Sequence, residues 1–250
     1  MFGDLVSDFY LCILNFMKII TWNCNGAFRK KYHLIEKLGA DILVVQECED
    51  PSRVEGDYKD WAQNYLWIGA NKNKGLGVFA KNHINLKRLD LNDDGLQLFL
   101  PCRINGSFNL IAVWTKQANS PNFRYIGQLW KYLQLHKDRI AADKVIICGD
   151  FNSNVQWDEW DRWWNHSDVV RELQDINIYS LYHELTGEKQ GLESMPTLFM
   201  HRKLERAYHI DYAFASKRLF DLEINTIEIG KPEIWLEYSD HMPVVFTVSE

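Results

Sequence analysis

The stretch Val145-Ile146-Ile147-Cys148-Gly149-Asp150-Phe151-Asn152 decides how the chain is read. A short apolar run closed by a glycine has the length and bounds of a buried strand. An acid and an amide follow, two positions apart. On an extended segment such side chains share a face, so Asp150 and Asn152 are expected to point the same way. Polar groups at the end of a rigid strand can be aimed into one cleft.

The same arrangement recurs in both directions. Trp22-Asn23 follows Ile19-Ile20, and Gln46-Glu47 follows Ile42-Leu43-Val44-Val45. Ser239-Asp240-His241 precedes Val244-Val245-Phe246, and His209-Ile210-Asp211-Tyr212 heads another strand. Strands are expected over 18–23, 41–46, 76–81, 96–104, 108–114, 144–149, 209–215, 222–229 and 243–248, and helices over 28–38, 122–137 and, in two pieces, 157–178. Gly39 fits the position that stops the first helix. Consecutive strands between about 76 and 114, and again after 208, favour stacked antiparallel or mixed sheets with helices outside over a doubly wound parallel sheet.

The polar groups suit attack on a phosphorus centre. Glu47 and Asp240 are hard oxygen ligands of the kind Mg²⁺ takes, and Asn23 adds a neutral oxygen. Of Asp150 and Asn152, one can orient a water while the other meets a phosphate oxygen. His241 can donate to a non-bridging oxygen, with Asp211 holding its other nitrogen and keeping it protonated. Singly, each has a blander reading as a turn former, cap or satisfied histidine. The five clusters together, in one order, carry the case.

Composition sets limits. The chain has 250 residues, 46% of them hydrophobic and 25% charged, as in a soluble globular protein. A net charge of −6 argues against a surface that grips nucleic acid everywhere, while leaving room for a local basic rim. The five cysteines, Cys12, Cys24, Cys48, Cys102 and Cys148, form no C-x-x-C and read as small buried residues in a reducing compartment. No apolar run reaches the roughly 18 residues of a membrane span. Residues 1–16 lack the early basic residues of a signal peptide. They read as an N-terminal extension, foreign to the native protein or an accessory helix, with Met17 as natural start and 17–250 as a single domain.

The succession of motifs resembles the endonuclease/exonuclease/phosphatase superfamily over about residues 17 to 248. Gly149-Asp150-Phe151-Asn152 and Ser239-Asp240-His241 are its most specific elements here. Gly75-Leu76-Gly77-Val78-Phe79 resembles the family's glycine-led strand. The resemblance implies an α/β four-layer sandwich of two packed mixed sheets flanked by helices. It implies Glu47 as principal metal ligand, with Asn23 and Asp240 completing or flanking the site, and Mg²⁺ as the cofactor, Mn²⁺ substituting. Asp150 would orient or deprotonate the attacking water, Asn152 would bind the scissile phosphate, and His241, polarised by Asp211, would stabilise the transition state. One position departs: where many members carry Tyr or His, this chain has Trp114, which cannot exchange a proton. Trp114 then packs, or contacts substrate with Thr115 or Lys116.

Two further features bear on substrate. Trp157, Trp160, Trp163 and Trp164 stand at helical spacing and read first as the buried stripe of an amphipathic helix, second as a platform for unpaired bases. The run His201-Arg202-Lys203-Leu204-Glu205-Arg206 precedes Asp211, and Arg202, Lys203 and Arg206 can grip phosphates beside the metal site. Arg29-Lys30-Lys31 can line the same rim. The reading is a cytoplasmic Mg²⁺-dependent nuclease acting on DNA, with no membrane and no protein partner inferred. The alternatives are a phosphatase or phosphodiesterase of a small or lipid-linked ester, and an inactive binding module. The intact set Glu47, Asp150, Asn152, Asp240 and His241 argues against the last.

Overall fold

The computed structural model describes residues 16–91, 95–117 and 122–249. Two six-stranded mixed sheets pack face to face with helices around them. The first sheet is built from β1 (Phe16–Asn23), β2 (Ile42–Cys48), β3 (Tyr65–Asn71) and β4 (Lys74–Ala80), joined later by β13 (Ile227–Ile229) and β14 (Val244–Ser249). Its order is β13-β14-β1-β2-β4-β3. The second comprises β5 (Leu86–Arg88), β6 (Phe99–Ile104), β7 (Phe108–Trp114), β8 (Val145–Asp150), β9 (Ile178–Ser180) and β12 (Asp211–Ser216), in the order β5-β6-β7-β8-β12-β9. A small hairpin pairs β10 (Leu198–Phe199) with β11 (Ala207–Tyr208).

Each large sheet holds one parallel pair at its centre, β1 with β2 and β7 with β8, and is otherwise antiparallel. A parallel pair needs a crossover. The short helix α1 (Tyr32–Glu36) lies on the first and the long helix α3 (Ile126–Ala141) on the second. In open α/β sheets, ligands collect beyond the carboxyl ends of such strands. Asn23, Trp114 and Asp150 are the last residues of β1, β7 and β8.

The second sheet is buried on both faces, which explains its unbroken apolar runs. Leu110, Ala112, Ile146, Cys148, Ala213 and Ala215 join the core shared with the first sheet. Their neighbours Ile111, Val113, Val145, Ile147, Tyr212 and Phe214 form another core with α3 and α4 (His166–Gln174). Outside the first sheet, Phe28, Tyr58, Trp61 and Phe79 pack with ring centroids 5.2–6.3 Å apart, under α1 and α2 (Asp57–Trp61). The layers are thus helix, sheet, sheet, helix, the sandwich expected.

Several expectations need correction. The helix expected over 28–38 is a 3-10 turn at Phe28–Lys30 followed by α1, and Gly39 takes a φ of +69° just past it. Of 157–178 only α4 is α-helical, and Trp157 merely ends a 3-10 turn that begins at Val155. Upstream of it, Asn165 accepts from the Glu159 amide and donates to the carbonyls of Glu159 and Arg162, and Asp158 accepts from the amides of His166 and Ser167. These side-chain bonds replace a helical ladder, and a capping box between Asn165 and Asp168 starts α4 instead. The tryptophans are therefore not a buried stripe. The strand over 222–229 shrinks to β13, because Asn225 ties its segment into a turn with Asp221.

Residues 1–15, with Cys12, lie outside the described residues, and Phe16 already belongs to β1. Cys24, Cys48, Cys102 and Cys148 are buried and unpaired. No helix among the described residues is long and apolar enough to cross a membrane.

Candidate active site

Asp150 and Asp211 face each other across the β8–β12 ladder, and Trp114 is level with Asp150 on the other side. Gly149 makes the β8 end possible. Its φ is +146°, and a Cβ there would stand 1.8 Å from the Val113 carbonyl oxygen. Asp150 is almost fully buried, with both carboxylate oxygens engaged. Oδ1 accepts from the Asn152 amide and Oδ2 from Asn23 Nδ2, each at 2.9 Å.

His241 is placed by three contacts of its backbone. Its amide donates to Ser239 Oγ at 3.0 Å, its carbonyl accepts from Trp22 Nε1 at 3.0 Å, and it bridges to Leu198 of the small hairpin. Ser239 Oγ in turn donates to the Asn23 carbonyl at 2.7 Å. The His241 Nδ1–H donates to Asp211 Oδ2 at 2.9 Å. Asp211 is held by its own amide, which with that of Ile210 donates to Thr197 Oγ1. The roles of Trp22 and Ser239 follow from their motifs. Thr197 carried no sequence signal.

The charges explain one another. Burial alone disfavours an imidazolium, but the carboxylates of Asp211, Asp150 and Asp240 outweigh it and push His241 up to about 10. Burial and Asp211 raise Asp150 to about 7, against the pull of His241 and the two hydrogen bonds to its oxygens. At neutral pH the cluster therefore holds a charged donor beside a carboxyl poised to exchange a proton. Ligand atoms of Asp150, Asp211 and His241 lie within 4.8 Å of one another, close enough to hold a metal ion. The ring nitrogen of a protonated imidazole has no lone pair to offer, however, so the ion pair is the better reading of His241.

Glu47 reaches the mouth by a different device. It is the extra residue where the β2–β4 register shifts between Gln46 and Cys48, with φ of +65°. A bulge re-aims a side chain, and a left-handed backbone at a non-glycine residue is strain that other contacts must hold. Its carboxylate is partly exposed, and Lys74 Nζ stands 2.7 Å from Oε2. The residue thus already draws a cation. Glu47, Asn23 and the half-buried Asp240 each offer an oxygen atom, the donor type that a hard divalent ion takes. Lys74 was missed in the sequence, because a lysine before a glycine-led strand has no distinguishing pattern.

Other expected residues divide. Asn152 is at the mouth, but not on an extended segment. Its φ is +46°, past the end of β8, and Nδ2 donates to the Thr115 carbonyl at 3.1 Å. Thr115 is fully buried and its Oγ1 donates to the Phe151 carbonyl, so it braces the loop and does not meet phosphate. Trp114 is buried, with Lys116 Nζ 4.5 Å and Lys74 Nζ 5.9 Å from its ring centroid. Arg202, Lys203 and Arg206 are exposed on the loop of the β10–β11 hairpin, which docks where Phe199 N donates to the Asp240 carbonyl. Arg202 also donates to the Glu237 carbonyl. Arg29 pairs with Glu49, and Lys31 donates to the carbonyls of Cys24 and Tyr238, so these two are structural and not a free rim.

A family model described as the Endonuclease/Exonuclease/phosphatase family matches residues 20–241. The chain belongs to that family. Its members are divalent-metal-dependent phosphoester hydrolases, mostly nucleases. A 3'-5' exonuclease from Neisseria meningitidis is similar in structure, with a TM-score of 0.65 and 19% identity, over 94% of this chain and 100% of that one. A 3' phosphatase from Neisseria bound to a product DNA hairpin gives 0.64 and 19%, over 92% and 98%. An AP endonuclease from Archaeoglobus fulgidus gives 0.62 and 20%, also over 92% and 98%. At these identities the likeness establishes the fold. No curated protein matches the chain significantly in sequence.

Proposed function

We propose that this member of the family is a Mg²⁺-dependent nuclease that hydrolyses DNA phosphodiesters. The observation that carries the reading is the buried cluster Asp150, Asp211 and His241, tied to Asn23 of the opposite sheet. It is an acid–base pair suited to work beside a divalent ion. Asp150 accepts a proton from the attacking water as its oxygen bonds to phosphorus and the ester bond on the far side breaks. A base near neutrality is best matched to that transfer. His241, kept protonated by Asp211, donates to a non-bridging oxygen as negative charge builds there. Asn152 binds the scissile phosphate. Glu47, with Asn23 and Asp240, would hold Mg²⁺ or Mn²⁺, which would supply Lewis acidity when bound.

The basic hairpin loop with Arg202, Lys203 and Arg206, together with Lys116, supports a polyanionic substrate over a small ester. The unpaired cysteines accord with a reducing, cytoplasmic setting. The test is a hydrolysis panel of duplex and single-stranded DNA, abasic DNA, RNA, inositol phosphates and sphingomyelin, with Mg²⁺, Mn²⁺ or EDTA. Metal-dependent cleavage of DNA supports the reading. Turnover of an inositol phosphate or sphingomyelin with no nucleic acid cleaved replaces it with the phosphatase alternative.

A further inference from the structure

A cleft of about 930 Å³ opens beside Asn152, walled on one side by residues 122–126 and on the other by 152–153, 157–159, 161–164 and His166. Asn152 and Ser153 belong both to its wall and to the loop that directly follows Asp150 at the end of β8, so the cleft adjoins the active site. Its rim is aromatic and solvent-facing. Tyr125 is 43% exposed, Trp157 39% and Trp163 65%. Large rings held out to water at one place mark a binding surface more often than chance exposure does. Tyr125 has φ +50° and ψ −114°, where a bulky residue is an outlier. Such strain gathers where the chain holds a side chain for a ligand.

The charged wall residues are of both signs: Arg124 and Arg162 stand among three acids. Asp158, Glu159 and Asp161 line the cleft. Asp158 caps α4, and Glu159 pairs with Arg162, which itself lies 4.4 Å from the Trp164 ring centroid. The carboxylate of Asp161 has no partner among the described residues. What fits flat rings with carboxylates between them is a flat, uncharged, N–H-bearing group.

We infer that this cleft seats an unpaired nucleobase next to the scissile phosphate, so that the enzyme takes single-stranded or locally unpaired nucleic acid in preference to intact duplex. Within a duplex, base faces are stacked and their edges paired, so neither face nor edge can reach Tyr125, Trp157 and Trp163. A base of a single strand pays no unpairing cost and stacks on any aromatic face regardless of sequence. The inference rests on the nuclease reading and adds to it the form of the substrate.

The experiment measures binding in Ca²⁺ of two equal-length single strands, one with all bases and one with abasic sugars around its centre. The proteins are the parent, Trp157→Ala, Trp163→Ala and the double variant. Hydrolysis of a small dialkyl phosphodiester, which carries no flat ring, is followed in Mg²⁺ alongside. The parent should prefer the base-bearing strand. Each ring lost should weaken that strand by roughly 5-fold to 150-fold, leave the abasic strand unchanged, and spare the small ester. Trp157 also packs on Tyr208, with centroids 5.1 Å apart. If its variant melts early, the exposed Trp163→Ala carries the test alone. Equal affinity of the parent for both strands, or equal weakening of both by the variants, overturns the base cleft and leaves the nuclease reading standing. Turnover of the small ester with no affinity for either strand overturns the nuclease reading itself.

Discussion

Asn23 Nδ2 donates to Asp150 Oδ2 at 2.9 Å, and this bond joins the ends of β1 and β8 across the seam between the two sheets. It fixes a carboxyl that burial would otherwise leave neutral and free to turn. Asp150 keeps a raised affinity for its proton, to about 7, even with that bond in place. The sign of the resulting stability change follows. Because the folded value lies above the ordinary 3.8, the contribution is fully present below pH 3.8 and is lost as pH rises to about 7. Without metal, Asp150→Asn removes that loss. In EDTA, the melting temperature of Asp150→Asn minus that of the parent should grow between about pH 4 and 7 and then level. A difference that stays flat contradicts the buried-acid description.

Glu47 is expected to hold the ion. Glu47→Gln keeps the shape of the bulge and removes the charge that Lys74 now faces. Calorimetric titration with Mn²⁺ and Mg²⁺ should show affinity falling by about 10-fold or more, with turnover lost and melting in EDTA unchanged. Normal ion binding by a folded Glu47→Gln would falsify the ligand assignment.

His241 and Asp211 should act as one unit, because the Nδ1–Oδ2 bond of 2.9 Å is how Asp211 reaches the chemistry. His241→Ala should cost about 100-fold to 1000-fold in kcat, the scale of one lost transition-state donor. Asp211→Asn should add little once His241 is gone. The cycle is read from kcat of the two single variants and the double variant. A double loss equal to the product of the singles means that the residues work independently.

The site was legible in the sequence where strands end in polar residues. Asn23, Asp150, Asp211 and His241 converge because two sheets present their strand ends to one mouth, and periodicity suffices to find strand ends. Glu47 was singled out by its motif, but the bulge on which it sits leaves no trace in residue pattern. Asn152 was placed for the wrong reason, since two-residue spacing implies a shared face only on extended backbone. The tryptophans misled because spacing of three and four is common to helices and to turns. What settled the matter was side-chain bonding by Asn165 and Asp158, a competition that periodicity does not register. The edge strand β3 was missed because its half-exposed run, Tyr65-Leu66-Trp67-Ile68-Gly69-Ala70-Asn71, lacks clean alternation.

The hairpin loop with Arg202, Lys203 and Arg206 should supply phosphate contacts that a chain of charge −6 cannot obtain from its whole surface. With all three replaced by Ala, binding of an uncleavable oligonucleotide in Ca²⁺ should weaken. Its salt slope should fall by roughly 0.7 to 0.9 for each lost contact. Hydrolysis of a small phosphodiester should change far less. An unaltered affinity and slope reduces the segment to a solvated loop.

The most direct test of the hydrolytic centre is single-turnover cleavage of an end-labelled DNA strand by the parent and by Asp150→Asn, with Mg²⁺ saturating and strand affinity measured separately in Ca²⁺. An amide in place of the carboxyl leaves the fold and the mouth intact but cannot take a proton from water. The cleavage rate should drop by about 100-fold to 10,000-fold, the range for loss of a positioned base, while affinity stays within a few-fold of the parent. Cleavage by Asp150→Asn at the parental rate, with the metal requirement retained, would contradict the assignment of Asp150 as the centre of the chemistry.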